Sequence, residues 1–566
     1  MRGANLLIQC LKDEKVEVVF GYPGGMVIPL FDAISRDGGL RFILPRHEQA
    51  GIHMADAYAR VTGKPAVVFA TSGPGATNLV TGIANAHLDS VPLVVFTGQV
   101  NVELIGNDAF QEVDFTGITR PISKHNYLVR DPETLPAIVR EAFHIAGSGR
   151  PGPVVVDLPV NVCLSDIRTP PATEICLRGY KPTIAGNARQ IDKAAKIINA
   201  AQRPLLLLGG GIVISKDAAP LVRDIVEKTK IPAVSTLMGL GVLPAAWGEN
   251  LGMLGMHGTT AANLATTACD VLVAIGARFD DRATMKVAGF APRAQIIHLD
   301  IDPTSVSKNV SVAIPIVGDA AHILRELSPR LTPQNLSAWR QQIAAWQARY
   351  PLTYARGGDA IKPQFVIEEL SRQTTAGATV VTDVGQHQMW TAQYYQFNAP
   401  RSLITSGGLG TMGFGLPAGL GAQLAAPEKL TVVVTGDGGL QMNIQELATM
   451  RRLNLPVKIL LLNNEYLGMV RQWQELFFAR EYAFTDLADN PDFVAVAQAF
   501  GIAAWRCDRP ENVASAVAQL LASPEPALLE VRIDRHENVL PMVPGGKALN
   551  EGLTAAGEWI ADSENN

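Results

Sequence analysis

Two turns rich in glycine and side-chain oxygen carry the strongest chemical signal in the sequence. One apolar run ends in the Gly-Asp-Gly of residues 436–438, and the next ends in the Asn-Asn of residues 463–464. Glycine lets a backbone approach a phosphate closely, while Asp437 and Asn464 offer the carboxylate and amide oxygens that Mg²⁺ binds together with phosphate. A lone Gly-Asp-Gly is most often a plain turn. Because Asn-Asn follows one crossover later, the pair predicts a site for a diphosphate and a divalent cation.

A second candidate for chemistry is the Arg-His-Glu of residues 46–48, which follows the apolar run 40–44. A carboxyl group in a turn after a strand is a candidate for proton transfer. Taken alone, the tripeptide is more typical of a surface salt bridge. Gly-rich turns at 21–25 and 71–78 lie on either side of it, so Glu48 stays a candidate for chemistry.

The elements that must position these turns are short apolar runs separated by segments long enough for helices. Such runs are typical of strands buried on both faces of a parallel sheet, where ligands bind at the carboxyl ends of the strands. The sequence therefore predicts α/β domains with doubly wound parallel sheets. The predicted strands are 16–20, 66–70, 93–97, 154–158, 205–208, 271–275, 296–299, 380–382, 431–434, 458–462 and 528–533.

Two polar stretches interrupt this rhythm and predict domain boundaries. Residues 165–187 are rich in Pro, Thr and Gly, and residues 331–362 are polar and helix-like, so both are interpreted as linkers or as long surface loops. We therefore expect an N-terminal domain over 1–165, a central domain over 188–330, a C-terminal domain over 360–535 and a tail over 536–566.

Composition excludes several classes of protein. The 566 residues carry a net charge of −5 and only 18% charged residues, which argues against a nucleic-acid or polybasic membrane surface and suggests a surface covered by other copies of the chain. Cys10, Cys163, Cys176, Cys269 and Cys507 form no CxxC pair, so zinc and redox motifs are not predicted. Neither a signal peptide nor a membrane-spanning run is predicted, and we expect a cytoplasmic protein.

The Gly-Asp-Gly and Asn-Asn turns resemble the motif of thiamin diphosphate-dependent enzymes. The resemblance implies that Asp437, Asn464 and the Tyr466 carbonyl hold Mg²⁺, and that Met412 wedges the cofactor into a bent conformation, although ordinary core packing is the alternative for Met412. It also implies that Glu48 contacts the aminopyrimidine ring and activates the cofactor. The implied cofactor contacts in the first and third domains are Pro23, Gly24, Glu48, Pro74, Asn78, Gly385, Gln386, His387, Gly410, Met412, Gly436, Asp437, Gly438, Gly439, Asn464, Leu467, Gly468 and Met469.

Four further blocks, at 108–112, 252–258, 276–282 and 467–473, narrow the resemblance to the acetohydroxyacid synthase (acetolactate synthase) family. Membership implies three domains, which bind the pyrimidine, FAD and the diphosphate. It also implies decarboxylation of pyruvate and transfer of the two-carbon unit to pyruvate or 2-oxobutanoate, the first common step of valine, leucine and isoleucine synthesis.

The family resemblance also implies roles for individual residues. Gln111 contacts cofactor and substrate, Arg282 binds the carboxylate of the second 2-oxo acid, and Trp473 shapes the pocket for its side chain. Arg282 has the alternative of a salt bridge with the adjacent aspartates, and Trp473 that of a core residue. The implied residues at the site entrance are Lys124, Phe110, Met256 and Met469.

FAD is implied by the family rather than required by the reaction. A three-glycine turn alone is equally typical of a tight strand-to-helix connection. The implied FAD contacts are Arg150, Gly209, Gly210, Gly211, Thr236, Leu237, Met238, Gly255, Met256, His257, Gly276, Arg278, Asp280, Arg282, Asp300, Ile301, Gly318 and Asp319.

The resemblance further implies an assembly. The expected form is a homodimer or dimer of dimers, in which Glu48 and Asp437 of one site come from different chains, with a possible small regulatory subunit. The segment 539–546 is a candidate lid. Two alternatives stay open: a thiamin- and flavin-dependent pyruvate oxidase, and a non-catalytic paralogue that only scaffolds a complex.

Overall fold

The computed structural model describes residues 1–175, 177–375 and 377–561. It contains three sheets of six strands each, and every strand pairing within them is parallel. The predicted fold class of three parallel-sheet α/β domains is therefore confirmed. Cys176 and the last five residues of the predicted tail lie outside the described residues.

The first sheet has the strand order β2-β1-β3-β4-β6-β5. Its strands are β1 (Val18–Gly21), β2 (Arg41–Ile43), β3 (Ala66–Ala70), β4 (Leu93–Gln99), β5 (His125–Leu128) and β6 (Pro153–Pro159). The helices around it are α1 (Gly3–Asp13), α2 (Ile28–Asp37), α3 (Glu48–Thr62), α4 (Pro74–Thr77), α5 (Val80–Leu88), α6 (Phe115–Thr119), α7 (Leu135–Gly147) and α8 (Val160–Leu164).

The central sheet has the order β12-β11-β10-β7-β8-β9. Its strands are β7 (Pro204–Leu208), β8 (Ala233–Ser235), β9 (Asn250–Met253), β10 (Val271–Ile275), β11 (Gln295–Asp300) and β12 (Ile314–Val317). The helices are α9 (Ala188–Ala200), α10 (Gly210–Ile214), α11 (Ala218–Thr229), α12 (Thr260–Ala268), α13 (Asp281–Thr284), α14 (Ala320–Leu327) and α15 (Ser337–Arg349). Strand order reverses between β7 and β10, which makes the carboxyl ends of these two strands the switch point of the sheet.

The third sheet has the order β14-β13-β15-β16-β18-β17. Its strands are β13 (Thr379–Thr382), β14 (Leu403–Ile404), β15 (Thr431–Gly436), β16 (Lys458–Asn463), β17 (Ala503–Cys507) and β18 (Ala527–Arg532). The helices are α16 (Pro363–Gln373), α17 (Gln386–Tyr394), α18 (Gly415–Ala425), α19 (Asp437–Met442), α20 (Leu447–Arg452), α21 (Gly468–Phe477), α22 (Phe493–Ala499) and α23 (Val513–Ala522). Within the described residues, no helix is long and apolar enough to cross a membrane.

The predicted strands all occur, but β2, β5, β8, β9, β12, β14 and β17 are not among them. All of these except β8 lie at sheet edges, where one flank of the strand lacks a neighbour. The edge strands are only partly buried, with alternating burial in β9 and β12, and β14 has only two residues. The continuous apolar signal therefore marks inner strands and loses the edges.

The second predicted linker is not a free connection. Residues 337–349 form α15, whose Trp339 and Trp346 are buried in the hydrophobic cluster of the central sheet, and the Trp339 indole donates a hydrogen bond to the Pro204 carbonyl. This helix therefore belongs to the packing of the central domain. The first predicted linker, 165–187, contains no helix or strand among its described residues apart from a single bridge at Asp166.

The first and third sheets share one hydrophobic cluster, built around the contact of α3 with α18. A Cβ on Gly421 of α18 would lie 2.0 Å from the carbonyl oxygen of Met54 in α3. Only glycine permits the two backbones to approach this closely.

We predict that Gly421→Ala lowers the free energy of unfolding by about 2 kcal/mol, because the added methyl group forces the two helix backbones apart. Urea unfolding of the variant and the parent measures the change. Gly248→Ala is the matched control, since a Cβ there meets nothing within 4 Å. Equal loss in both variants would contradict the close-approach explanation.

Candidate active site

A cavity of about 520 Å³ lies at the carboxyl edge of the third sheet. All of the cofactor-contacting residues predicted in this domain line it except Gly410. The residues that line it are Val384, Gly385, Gln386, His387, Trp390, Met412, Gly436, Asp437, Gly438, Gly439, Leu462, Asn464, Tyr466, Leu467, Gly468, Met469, Val470 and Ile533.

Asp437 is the acidic group of this cavity. It begins α19 directly after β15, its side chain is buried, and its Oδ2 accepts a hydrogen bond of 2.7 Å from Asn490. Burial raises the pKa of Asp437 to about 6, and the bond from Asn490 opposes this rise. A bound cation would compensate the desolvated carboxylate.

The glycines beside Asp437 leave room that side chains would fill. A Cβ on Gly436 would lie 2.9 Å from the His387 ring, and a Cβ on Gly438 would lie 2.9 Å from the Leu467 side chain. The turn therefore offers bare backbone to the cavity, as close approach of a diphosphate requires.

Two buried ring nitrogens of the cavity are suited to bonding a ligand. His387 Nε2 and Trp390 Nε1 are buried and have no hydrogen-bond partner among the described residues. Burial lowers the pKa of His387 to about 4, so the ring is neutral and can donate from only one nitrogen. Buried polar atoms without partners are rare in proteins, and a ligand with phosphate and ring heteroatoms fits these residues.

A chain of side-chain amides fixes the orientation of Asn464. Asn464 Nδ2 donates to Gln386 Oε1 at 3.1 Å, and Gln386 Nε2 donates to Gln472 Oε1 at 2.9 Å. Gln472 Nε2 in turn donates to the Val539 carbonyl. Because the Asn464 amide nitrogen is committed to Gln386, its Oδ1, which already accepts from the Tyr466 backbone N–H, keeps a free lone pair for a cation.

The loop that carries Met412 is held from the first domain. Asp89, which follows α5, accepts hydrogen bonds from the backbone N–H groups of Gly407 and Gly408. Arg60 of α3 bonds both Asp89 and the Thr405 carbonyl. Met412 is half-buried at the cavity wall, so its position depends on contacts made outside its own domain.

The candidate base Glu48 opens α3 in the first domain and is half-buried. Asn78 Nδ2 donates to Glu48 Oε2 at 3.0 Å, and a Cβ on Gly75 would lie 3.3 Å from Glu48 Oε1. Gly73, with φ +57°, packs against Gln111. The structure thus brings Glu48, Asn78 and Gln111 together on the Gly-rich turn, next to the exposed Pro74.

This first-domain group is separate from the cavity. The cavity-lining residues, as far as the structure describes them, all belong to 384–533. Pro23 and Gly24 also follow a first-sheet strand, β1. The two halves of the predicted site therefore occupy different surfaces of one chain.

Arg282 and Trp473 meet although almost 200 residues separate them in the sequence. The Arg282 guanidinium carbon lies 5.7 Å from the centroid of the Trp473 ring. Arg282 also pairs with Asp281 at 3.4 Å, but both side chains are largely exposed, and such a pair stabilises by only about 0–1 kcal/mol. The guanidinium is therefore available to a carboxylate ligand. Trp473 Nε1 is buried without a partner among the described residues.

The segment 539–546 packs between the third and central domains. The Val539 backbone N–H donates to Gln472 Oε1, and that of Val543 donates to the Met256 carbonyl at 2.7 Å. Met542 is buried as well. The candidate lid thus touches both Met256 and the helix that carries Met469 and Trp473.

Two predicted entrance residues behave differently from each other. Phe110 is 83% exposed, so it is free to contact another molecule. Lys124 instead precedes β5, at the opposite edge of the first sheet from Glu48, and its Nζ donates to the Ser148 carbonyl and the Tyr180 hydroxyl. Burial lowers its pKa to about 8. Lys124 therefore has structural partners within the first domain, and its role at the site entrance stays a prediction.

The predicted FAD contacts gather at the carboxyl edge of the central sheet. A Cβ on Gly209 would lie 2.1 Å from the Gly276 carbonyl oxygen, so the glycines let the turns after β7 and β10 approach each other at the switch point. The His257 ring keeps a buried nitrogen without a partner in the described chain. The remaining predicted contacts after the central strands are Gly210, Gly211, Thr236, Leu237, Met238, Gly255, Met256, Arg278, Asp300, Ile301 and Gly318.

Some of the predicted FAD residues already have structural partners. Asp280 caps α13 and Asp319 caps α14 through their carboxylates. Arg150 is paired with Asp302 at 3.1 Å and bonds Ser90. Because these side chains already have partners, a dinucleotide would bind the backbone of the glycine turns rather than the acidic side chains. The residues present fit such a ligand at the switch point.

Sequence reasoning missed several residues that shape the site. Asp383 accepts hydrogen bonds from the Gly413 and Gly415 backbone, and Asn490 bonds Asp437. Trp390 belongs to no recognised motif, and Asn490 lies far from Asp437 in the sequence. No local signal therefore identifies either residue. Asp383 directly follows the predicted strand 380–382 and β13, and this placement is the one signal that could have found it.

Comparisons with known proteins place the chain among thiamin-dependent enzymes. Family models match it at residues 1–118 (thiamine pyrophosphate enzyme, N-terminal TPP binding domain), 191–327 (central domain) and 383–531 (C-terminal TPP binding domain). It is 46% identical to the acetolactate synthase large subunit of Haemophilus influenzae, over 97% of this chain and 98% of that protein. It is also 46% identical to the acetolactate synthase isozyme 3 large subunit of Escherichia coli, over 100% and 99%.

A buried acid anchors the loop that carries Phe110 and Gln111. Asp157, at the end of β6, accepts hydrogen bonds from Thr97 and Gln99, and Gln99 also donates to the Val113 carbonyl. Burial raises the pKa of Asp157 to about 7. The folded state therefore holds a proton that the unfolded chain releases near pH 4, so this group's stabilisation is full below pH 4 and is lost as pH rises to 7.

We predict that Asp157→Asn removes this pH-dependent component. As pH rises from 5 to 8, the parent should lose about 1–3 kcal/mol more of its free energy of unfolding than the variant does. Urea unfolding at the two pH values measures the shift, with the exposed Asp32→Asn as control. Parallel pH profiles for Asp157→Asn and the parent would show that Asp157 does not titrate in this range.

Proposed function

The chain belongs to the thiamine pyrophosphate enzymes, among the acetolactate synthase large subunits, and on this basis we propose that it is a thiamin diphosphate-dependent acetolactate synthase. It decarboxylates pyruvate and joins the two-carbon unit to a second pyruvate, giving 2-acetolactate, or to 2-oxobutanoate, giving 2-aceto-2-hydroxybutanoate. These products begin branched-chain amino acid synthesis. The observation that carries the proposal is the cavity in which Asp437, Asn464 and bare glycine backbone converge.

We propose that Asp437, Asn464 and the Tyr466 carbonyl hold Mg²⁺, and that Gly436, Gly438 and Gly439 present backbone N–H groups to the diphosphate. Bound thiamin diphosphate supplies a carbon nucleophile and an electron sink for decarboxylation. His387, Trp390 and Met412 shape the rest of the wall. Support comes from the two unpartnered ring nitrogens and from the orientation that Gln386 imposes on Asn464.

Glu48 acts on the pyrimidine end of the cofactor. Its Oε2 accepts from Asn78, which leaves Oε1 to hydrogen-bond the ring and to move a proton. Gln111, packed on the same turn, faces the substrate. Because no first-domain residue lines the cavity within the described chain, we propose that the partner subunit of a homodimer, or of a dimer of dimers, supplies this Glu48.

Arg282 and Trp473 select the second 2-oxo acid. The exposed guanidinium can bind its carboxylate in bidentate fashion, and the indole face borders the space for its methyl or ethyl group. The segment 539–546 closes over the reaction and excludes water, which would otherwise protonate the product of decarboxylation. Its contacts to Gln472 and Met256 support this role.

FAD is proposed for the carboxyl edge of the central sheet, at the glycine turns after β7 and β10. The domain boundaries 1–165, 188–330 and 360–535 stay predictions, as does a cytoplasmic location. The related proteins are named as large subunits, which supports the proposal that a small regulatory subunit binds this chain.

The function is tested by incubating the purified protein with pyruvate, thiamin diphosphate, Mg²⁺ and FAD. We expect acetolactate to form faster than pyruvate reduces the flavin; fast flavin reduction without acetolactate would indicate a pyruvate oxidase.

Glu48→Gln should lower kcat by at least about 100-fold, because general acid–base catalysis contributes factors of this size. Cofactor binding, followed by tryptophan fluorescence, should persist in the variant. Unchanged turnover would refute the role of Glu48, and inactivity of the parent would favour a scaffold.

We predict that Trp473→Leu lowers the preference for 2-oxobutanoate over pyruvate by about 10-fold, because one methylene in an apolar pocket contributes roughly 1–3 kcal/mol. Product ratios with both acceptors in competition measure the preference. Trp505→Leu, on β17, is the control for loss of a tryptophan away from the cavity. If both variants kept the parent's ratio, Trp473 would not contact the acceptor.

A further inference from the structure

A buried carboxylate of the third domain holds the turn that precedes Glu48. Glu446 is 0% exposed and ends the short 3-10 helix Ile444–Glu446. Its Oε1 accepts a hydrogen bond of 2.8 Å from the Arg46 backbone N–H. The backbone two residues before Glu48 is therefore bonded to an acceptor 400 positions away in the chain.

The contacts of Glu446 account for its burial. Its Oε2 accepts a hydrogen bond of 2.7 Å from the Thr449 hydroxyl, so both carboxylate oxygens are paired. Burial raises the pKa of Glu446, while the bonds from Thr449 and Arg46 lower it. Glutamine could keep both contacts, because its amide oxygen can accept from Arg46 and its amide NH2 can donate to the Thr449 hydroxyl. Leucine has a similar volume and removes both acceptors.

The turn also fixes where α3 begins. His47 Nδ1 caps the helix by accepting from the Gln49 backbone N–H. With the Arg46 N–H group bound to Glu446, the backbone two residues before Glu48 is held by the third domain, and the backbone after Glu48 is held by the first turn of α3. The direction of the Glu48 side chain follows from both constraints.

We propose that Glu446 is a positioning residue that aims Glu48 at the pyrimidine of the cofactor. The inference rests on the proposed function of Glu48 and extends it to a residue that never touches the cofactor. Glu446 and the cation ligand Asp437 belong to one short segment, α19 and the 3-10 helix after it. In the proposed dimer, this segment joins the cation site of one subunit to the base that serves the other.

The test measures hydrogen–deuterium exchange at the reactive ring carbon of bound thiamin diphosphate, by acid quench and NMR, in the holoenzyme with Mg²⁺. We expect Glu446→Leu to slow this exchange 10- to 100-fold, because it removes the acceptor of the Arg46 backbone N–H. The dissociation constant for thiamin diphosphate should stay within about 3-fold of the parent, and the melting temperature without cofactor should stay close to it. Glu48→Gln gives the reference for complete loss of the base.

Two further variants make the result specific. Thr449→Val removes a donor to Glu446 but leaves the Arg46 bond, so its exchange rate should stay within about 3-fold of the parent. Glu446→Asp, shorter by one methylene, should slow the exchange and serves if the leucine variant does not fold. Parental exchange in a folded Glu446 variant, with slow exchange in Glu48→Gln, would overturn the inference alone. Parental exchange in Glu48→Gln would overturn the proposed role of Glu48 itself.

Discussion

The contact between helices α3 and α18 is the constraint on which the rest of the molecule depends. Gly421 allows the two backbones to touch at Met54, and one hydrophobic cluster continues through this contact from the first sheet into the third. Since α3 begins at Glu48 and carries Arg60 near its end, the same packing determines the position of both ends. At one end of α3, the turn before Glu48 is hydrogen-bonded to Glu446. At the other end, Arg60 bonds Asp89, which accepts from the backbone of the loop that carries Met412.

Buried polar groups give this packing a single register. Arg60 lies between Asp56 and Asp89, with N–O distances of 2.6 and 2.9 Å, and also bonds the Thr405 carbonyl. Ion pairs of this kind contribute little net stability, because desolvation offsets their attraction. They do penalise any other arrangement, since a shift of one helix would leave buried charges unpaired. The loop of Met412 is therefore specified by directional bonds as well as by apolar contact.

Sequence patterns predicted the features that depend on local chemistry. Inner strands such as β4 and β15 are continuous apolar runs, and the Asp437 and Asn464 turns follow them directly, so the cavity could be anticipated residue by residue. Edge strands such as β5 were lost because their residues are only partly buried. The proposed role of Glu446 rests on its contact with Arg46, 400 positions away. Neither periodicity nor motif spacing can reveal a contact of this kind.

The same reasoning explains why the structural partners of Lys124 were not predicted and why α15 was interpreted as a linker. Lys124 stands before a strand rather than after it, and its resemblance to a site residue says nothing of the acceptors that Ser148 and Tyr180 bring to it. The polar sequence of α15 hides the two tryptophans that bury one face. In both cases tertiary contacts, which lie outside any local window, decide the role.

The α3–α18 contact supports the proposal of an active site shared between chains. The described residues that line the cavity all belong to the third domain, and a shift of α3 towards it would expose the cluster around Met54 and Leu420. Each large apolar side chain so exposed costs roughly 1.5–3 kcal/mol. A second copy can supply Glu48 without disturbing that core. In the proposed dimer, exposed aromatic side chains such as Phe110 and Phe484 are candidates for burial against the second copy, and the low proportion of charged residues is consistent with a covered surface.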